Sequence, residues 1–166
     1  MQKIHFKAPN CWINDPNGFI WYKGQYHLFY QCFPYAPQWG RMHWGHAVSK
    51  DLVNWEEKGI ALYPTKTDDR SGCFSGSAVE QDGTMYLYYT GVNYLEEDPE
   101  NINHCRNDQF LSAQMMISST DGMTFDNLQE KKTIIPPIAE GKIGSKTHTR
   151  DPKVWRGTDA WYMVLG

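Results

Sequence analysis

Apolar and aromatic positions recur along this chain in short runs bounded by turn residues, the pattern of β-strands. Phe19-Ile20-Trp21-Tyr22 and Gln25-Tyr26-His27-Leu28-Phe29-Tyr30 flank Lys23-Gly24, which predicts a hairpin about a tight turn. A looser aromatic stretch runs on to Arg41. Met42 to Ser49 reads as a third strand, and Lys50-Asp51-Leu52-Val53-Asn54-Trp55 as a turn into a fourth that ends near Pro64. The pattern then restarts: Phe74 to Gln81, an Asp82-Gly83 turn, and Thr84 to Tyr89 repeat the order of the first hairpin. Ser49, Asp51 and Trp55 are matched by Ser119, Asp121 and Phe125 at identical offsets, 70 residues on. A third beginning appears at Arg150-Asp151-Pro152, with Ala160 to Val164 beyond its turn.

Units of four strands and roughly 60–75 residues point to propeller blades rather than to a sandwich or a solenoid. The expected fold is all-β, an incomplete propeller of about two blades and the start of a third. The expected boundaries are about 12–72, about 73–147 and 148–166. The polar insert Asn93 to Asp108 reads as a solvated loop that could shape access to a cleft.

Composition narrows the partners. A net charge of −3 gives no basic footprint for nucleic acid, and no stretch approaches the ~18 apolar residues of a membrane span. Seven Trp and ten Tyr favour flat sugar-binding faces as well as core. Cys11, Cys32, Cys73 and Cys105 form no CxxC pair, which points to reduced, mostly buried thiols. Met1 to Lys7 has no apolar core and no small-residue cleavage site, so a cytoplasmic location is expected, and the chain reads as the N-terminal portion of a longer enzyme. His43 and His46, three apart on a strand, point to opposite faces and read as structural rather than as a metal site. Trp44 and Trp55 read as interblade packing.

The candidate chemistry lies in Trp12-Ile13-Asn14-Asp15-Pro16-Asn17-Gly18. Pro16 holds Asp15 extended, Asn14 and Asn17 flank it with amides, and Trp12 offers an apolar face. Alone, the run reads as an Asx-Pro turn opening a hairpin. Its recurrence alters that reading, because innermost strands of successive blades surround one channel and repeat-equivalent residues meet at its mouth. Asp15, Ser75 and Asp151 are those residues, and convergent carboxylates suggest glycoside chemistry.

These motifs resemble glycoside hydrolase family 32, the β-fructofuranosidases, nearly end to end. Trp12 to Gly18 looks like the family's nucleophile motif, Phe74-Ser75-Gly76-Ser77 its second signature and Arg150-Asp151-Pro152 its third. Met42 to Ser49 and Asp51 to Trp55 look like family sequence too. The resemblance implies a five-bladed propeller and retaining hydrolysis of sucrose, sucrose 6-phosphate or a related fructoside, without metal or cofactor. It makes Asp15 the nucleophile, Asp151 the transition-state stabiliser and Arg150 a binding residue. Asn14, Gln31, Trp39, Phe74 and Ser75 match positions lining the fructose subsite. The family's acid/base, a glutamate followed by cysteine, has no counterpart here, so the isolated chain is expected to be inactive or nearly so. Closure of the ring would come from a C-terminal remainder or from a second copy. The rival readings are a related five-bladed arabinan- or xylan-active glycosidase and a non-catalytic fructoside-binding fragment.

Overall fold

The computed structural model describes residues 6–7 and 11–166; the first five residues, read above for targeting signals, lie outside them. β1 (Trp12–Tyr22), β2 (Gln25–Phe33), β3 (His43–Ser49) and β4 (Glu56–Leu62) form one antiparallel sheet in the order of the chain. The first strand begins at Trp12, seven residues before the run that predicted it. The Asp-Pro-Asn-Gly stretch is a bulged part of β1 rather than a turn before it. The pairing with β2 slips between Ile13 and Pro16 and again between Asn17 and Ile20, and Gly18 takes φ +50°. Bulges of this kind let residues without strand character stay within a ladder.

The second sheet joins β5 (Gly72–Gln81), β6 (Thr84–Tyr94), β9 (Phe110–Ser119) and β10 (Lys132–Ile135). Between β6 and β9 the insert is not a plain solvated loop. It folds into a hairpin, β7 (Glu97–Asp98) and β8 (Asn101–Cys105). Its backbone polar groups are paired there, and Arg41 of the first sheet ties it down through Glu97 at 2.5 Å and the Ile102 carbonyl at 3.0 Å. β11 (Lys153–Arg156) and β12 (Trp161–Val164) make a further antiparallel hairpin. Together these are two propeller blades and the opening of a third.

The matched serine and aspartate positions build the same turn in both blades. Asp51 accepts backbone bonds from Val53 at 2.9 Å and Asn54 at 2.7 Å, and Asp121 from Met123 at 2.8 Å and Thr124 at 2.7 Å. These bonds hold both carboxyls well below the usual range.

The two sheets share one apolar core. Phe29, Trp44 and Leu62 from the first meet Met85, Leu87, Tyr89, Met115 and Ile117 from the second, all essentially inaccessible. Each such side chain contributes about 1.5–3 kcal/mol by leaving water. Trp44 also crosses the blade boundary by donating Nε1 to the Phe74 carbonyl at 3.0 Å, as interblade packing requires. Trp55 does not. It lies on the opposite face of the first sheet with Phe6, Tyr30 and Cys32, carried there by the connection that leads into β4. Among the described residues no helix is long and apolar enough to cross a membrane.

A charge pair sits inside this junction. The Lys131 ammonium meets Asp69 at 2.5 Å with both side chains wholly buried. Lys131 also donates to the Tyr63 carbonyl, Tyr89 donates to Asp69 at 2.9 Å, and the Thr65 and Lys66 amides donate to its other oxygen at 2.9 and 2.7 Å. Removing one partner strands the other charge without water. Asp69→Ala is therefore expected to lose about 3–5 kcal/mol of stability in a urea titration, far more than substitution of an exposed aspartate.

His27 and His46 stack in the same core, their Nδ1 and Nε2 atoms 3.0 Å apart. Burial pushes both below the ordinary value of 6.5, and His46 falls to about 3 with further help from His27 and Lys58. The folded protein thus holds them neutral, while the unfolded chain takes up protons near pH 6.5. Their contribution is complete above about pH 6.5 and declines as pH falls toward about 3. Urea midpoints measured down that range are expected to drop, and His46→Gln to flatten the decline.

Candidate active site

The two blades carry the same irregularity at the same place. In β1 the register runs from Ile13↔Cys32 to Pro16↔Tyr30, so Asn14 and Asp15 face the single residue Gln31. In β5 it runs from Cys73↔Gly91 to Gly76↔Tyr89, so Phe74 and Ser75 face Thr90. Two residues opposing one is a β-bulge, which bends the strand and re-aims its side chains. At Gly76 the backbones approach so closely that a Cβ would lie 1.9 Å from the Tyr88 carbonyl oxygen. Only glycine fits there.

The bulges turn their residues toward one another. The Ser75 hydroxyl donates to the Asp15 carboxylate at 2.5 Å, and the Gly76 amide to Asn17 at 3.4 Å. Asn14 is held from both sides, donating to Gln31 at 2.7 Å and accepting from the Trp12 indole at 2.9 Å. Gln31 is buried, and its remaining amide nitrogen has no partner among the described residues. A buried donor of this kind is costly unless something accepts from it.

Further along β5, Ser77 grips the third blade. Its hydroxyl donates to the Pro152 carbonyl at 2.8 Å and accepts from the Val154 amide at 3.0 Å. Thr90 completes the hold, accepting from the Asp151 amide at 2.9 Å while donating to Gln114 at 2.8 Å; Gln114 donates in turn to the Thr149 carbonyl at 2.9 Å. Asp151 is thereby fixed at φ +59° beside Arg150, whose Nε lies 3.6 Å from its carboxylate. Trp39 and Phe74 meet edge-on, their centroids 6.3 Å apart, and with Arg150 they line one cavity of about 240 Å³.

The Asp151 side chain is half exposed, yet its carboxyl is pushed above the ordinary 3.8. Partial loss of water is the main cause, opposed by Arg150 and reinforced by the negative charge of Asp15. The two aspartates are thus close enough to feel each other.

All eight residues singled out from the sequence therefore belong to this neighbourhood: Asp15 and Ser75 in contact, Asn14 on Gln31, Trp39 on Phe74, Arg150 on Asp151. His43 and His46 lie outside it, one bonded to the Arg41 carbonyl and the other in the core. Among the described residues no group of three or more possible metal ligands occurs. Sequence reading gave Ser77 no role beyond the second signature and missed Thr90 and Gln114. The repeat offered a signal for Thr90, since it occupies in the second blade the position of Gln31 in the first.

Aspartates at the openings of the first and third blades, with a serine, amides and aromatic faces between them, fit a glycoside hydrolase type of propeller site. Residues 5–166 match the family described as the glycosyl hydrolases family 32 N-terminal domain, and the chain belongs to that family. It is 46% identical over 165 residues to a sucrose-6-phosphate hydrolase of Zymomonas mobilis, covering 98% of this chain and 29% of that protein. It is 42% identical to a raffinose invertase of Escherichia coli, covering 98% of this chain and 31% of the other. The solved GH32 β-fructofuranosidase of Bombyx mori superposes with a TM-score of 0.80 at 37% identity, over 99% of this chain and 32% of that one. A mutant of the same silkworm enzyme, solved in complex with sucrose, gives 0.75. The chain spans less than a third of the length of these relatives.

The proximity of the two aspartates is open to direct measurement. In Asp15→Asn the Asp151 carboxyl is expected to titrate lower than in the parent chain, because the charge that opposes its ionisation has gone. Carbon-detected NMR of the aspartate carboxyls reads this; an unchanged Asp151 titration would contradict the convergence.

Proposed function

We propose that this chain is the nucleophile-bearing part of a cytoplasmic, retaining β-fructofuranosidase that releases fructose from sucrose, sucrose 6-phosphate or a related fructoside. The observation that carries the proposal is the run of hydrogen bonds in which Ser75 holds Asp15 while Ser77 and Thr90 hold the Asp151–Pro152 segment. Asp15 attacks the anomeric carbon and forms a fructosyl-enzyme ester. Asp151 and Arg150 hold fructose hydroxyls and stabilise positive charge as the glycosidic bond breaks. Asn14, Gln31 and Ser75 fix the ring and the nucleophile, and Trp39 and Phe74 border the sugar. The free buried amide of Gln31 supports a polar ligand at this place. The names of the relatives support fructosides over arabinan or xylan. The four free cysteines support a reducing compartment.

No glutamate in these 166 residues is followed by cysteine. The chain by itself therefore lacks the proton donor for a sugar leaving group, which would come from the rest of the enzyme; a second copy completing the ring is the alternative source of the missing blades. A leaving group that needs no proton bypasses the deficit. With β-D-fructofuranosyl fluoride, the C–F bond breaks as the Asp15–carbon bond forms, and fluoride departs as the anion. Intact-mass and peptide analysis is expected to find one fructosyl unit on Asp15, none in Asp15→Asn and slower labelling in Asp151→Asn. Reversible fructose binding without any labelling would favour a non-catalytic fructoside-binding fragment.

A further inference from the structure

Arg150 and Asp151 lie in the irregular stretch between β10 and β11, so no sheet ladder fixes their backbone. Arg150 exchanges backbone bonds with Gly166, its amide donating at 3.2 Å and its carbonyl accepting at 2.8 Å. Asp151, at φ +59°, instead sends its amide out of its own blade, to the Thr90 hydroxyl on β6. These bonds pin the aspartate between two blades. A hydroxyl can turn its proton in any direction, however, so Thr90 alone does not guarantee that it accepts.

Gln114 removes that freedom. It stands opposite Thr90 in the pairing of β6 with β9. The Thr149 carbonyl can only accept, so the Gln114 amide nitrogen faces it, at 2.9 Å, and the side-chain oxygen is left to face Thr90, at 2.8 Å. Thr90 then donates to Gln114 and keeps a lone pair for the Asp151 amide. The bonds run one way, from Asp151 through Thr90 and Gln114 to Thr149, and so return to the segment they left, two residues upstream. Thr90 is wholly buried and Gln114 nearly so, which keeps water from competing and lets bonds in series strengthen one another. Ser112, on the same face of β9, ties down the approach to this segment by donating its hydroxyl to the Thr147 carbonyl at 2.5 Å.

We infer that Gln114 is a positioning residue, which, from the third strand of its blade and acting through Thr90, fixes the direction in which Asp151 presents its carboxylate to the sugar. The role needs no contact between Gln114 and the sugar. It rests on the fructosidase reading, in which Asp151 stabilises charge at the reacting carbon, and there a misplacement of about 1 Å can cost about 100-fold in rate.

The rate at which β-D-fructofuranosyl fluoride labels Asp15 in the full chain tests this. Gln114→Met keeps the length of the side chain and deletes both of its bonds, and Thr90→Val does the same for the hydroxyl. Each is expected to slow labelling about 10- to 100-fold, with Thr90→Ser restoring most of the rate. In an Asp151→Asn background the same replacements are expected to change the rate by less than about threefold, because the carboxylate they position has gone. Gln114→Glu gives a readout that survives if the apolar variants do not fold. Its carboxyl can donate to Thr149 and accept from Thr90 only while protonated, so its labelling rate relative to the parent chain is expected to fall as pH rises through that titration. Equal slowing in both backgrounds, unchanged labelling, or a Gln114→Glu rate that keeps a constant ratio to the parent across pH overturns the positioning role and leaves the fructosidase reading in place. Absent labelling of the parent chain removes that reading, and the positioning role with it.

Discussion

The site depends on β5 serving as a clasp between its neighbours. Ser75 reaches back to Asp15 of the first blade and Ser77 reaches forward to Pro152 and Val154 of the third. Adjacent side chains of a strand point to opposite faces, whereas residues two apart share one. The spacing Ser-Gly-Ser therefore presents both hydroxyls with the same sense, and the glycine between them lets the backbone sit against Tyr88. A short segment thus relates two aspartates that stand 136 residues apart in the chain. The large apolar core behind it fixes the blades, and the clasp sets their registration at the mouth.

That registration is built from one local defect used twice. A strand with perfect pairing would turn Asn14 and Asp15 to opposite faces, with one of them lost to the site. The bulge lets both address the opening while the ladder resumes at Pro16. The second blade repeats the device with Phe74 and Ser75 against Thr90. In the third, the residue of the same rank adopts a left-handed backbone instead. Residues opposite the bulges then become supports: Gln31 steadies Asn14, and Thr90 steadies Asp151.

Much of this is legible in the amino acids. Alternation located the strands, the 70-residue echo of Ser49 and Asp51 located the repeat, and the blade openings singled out Asp15 and Ser75, which bond to each other. The start of β1 was not legible, because Asp-Pro-Asn-Gly has the composition of a turn and only pairing with β2 shows it absorbed in a ladder. The hairpin inside 93–108 was hidden by its charge, since Glu96 and Glu97 read as solvated until Arg106 and Arg41 are seen to neutralise them. Trp55 was assigned to the wrong face because aromatic bulk does not reveal which side of a sheet a residue of a connecting turn covers. The buried Asp69 and Lys131 gave no sign at all; they lie 62 residues apart, in segments with no apolar pattern, and only the tertiary fold removes their water.

The backbone of Asp151 restricts what evolution or an experimenter can put there. At φ +59° a side chain branching from Cβ crowds the neighbouring carbonyl, at a cost of about 1–2 kcal/mol for most residues, while Asn, Asp and Gly visit this region readily. Alanine at this position would therefore combine two perturbations, loss of charge and loss of conformational preference. Asparagine keeps the local shape and deletes only the charge, so a discrepancy between the two replacements measures how much of the aspartate's value is geometric rather than electrostatic.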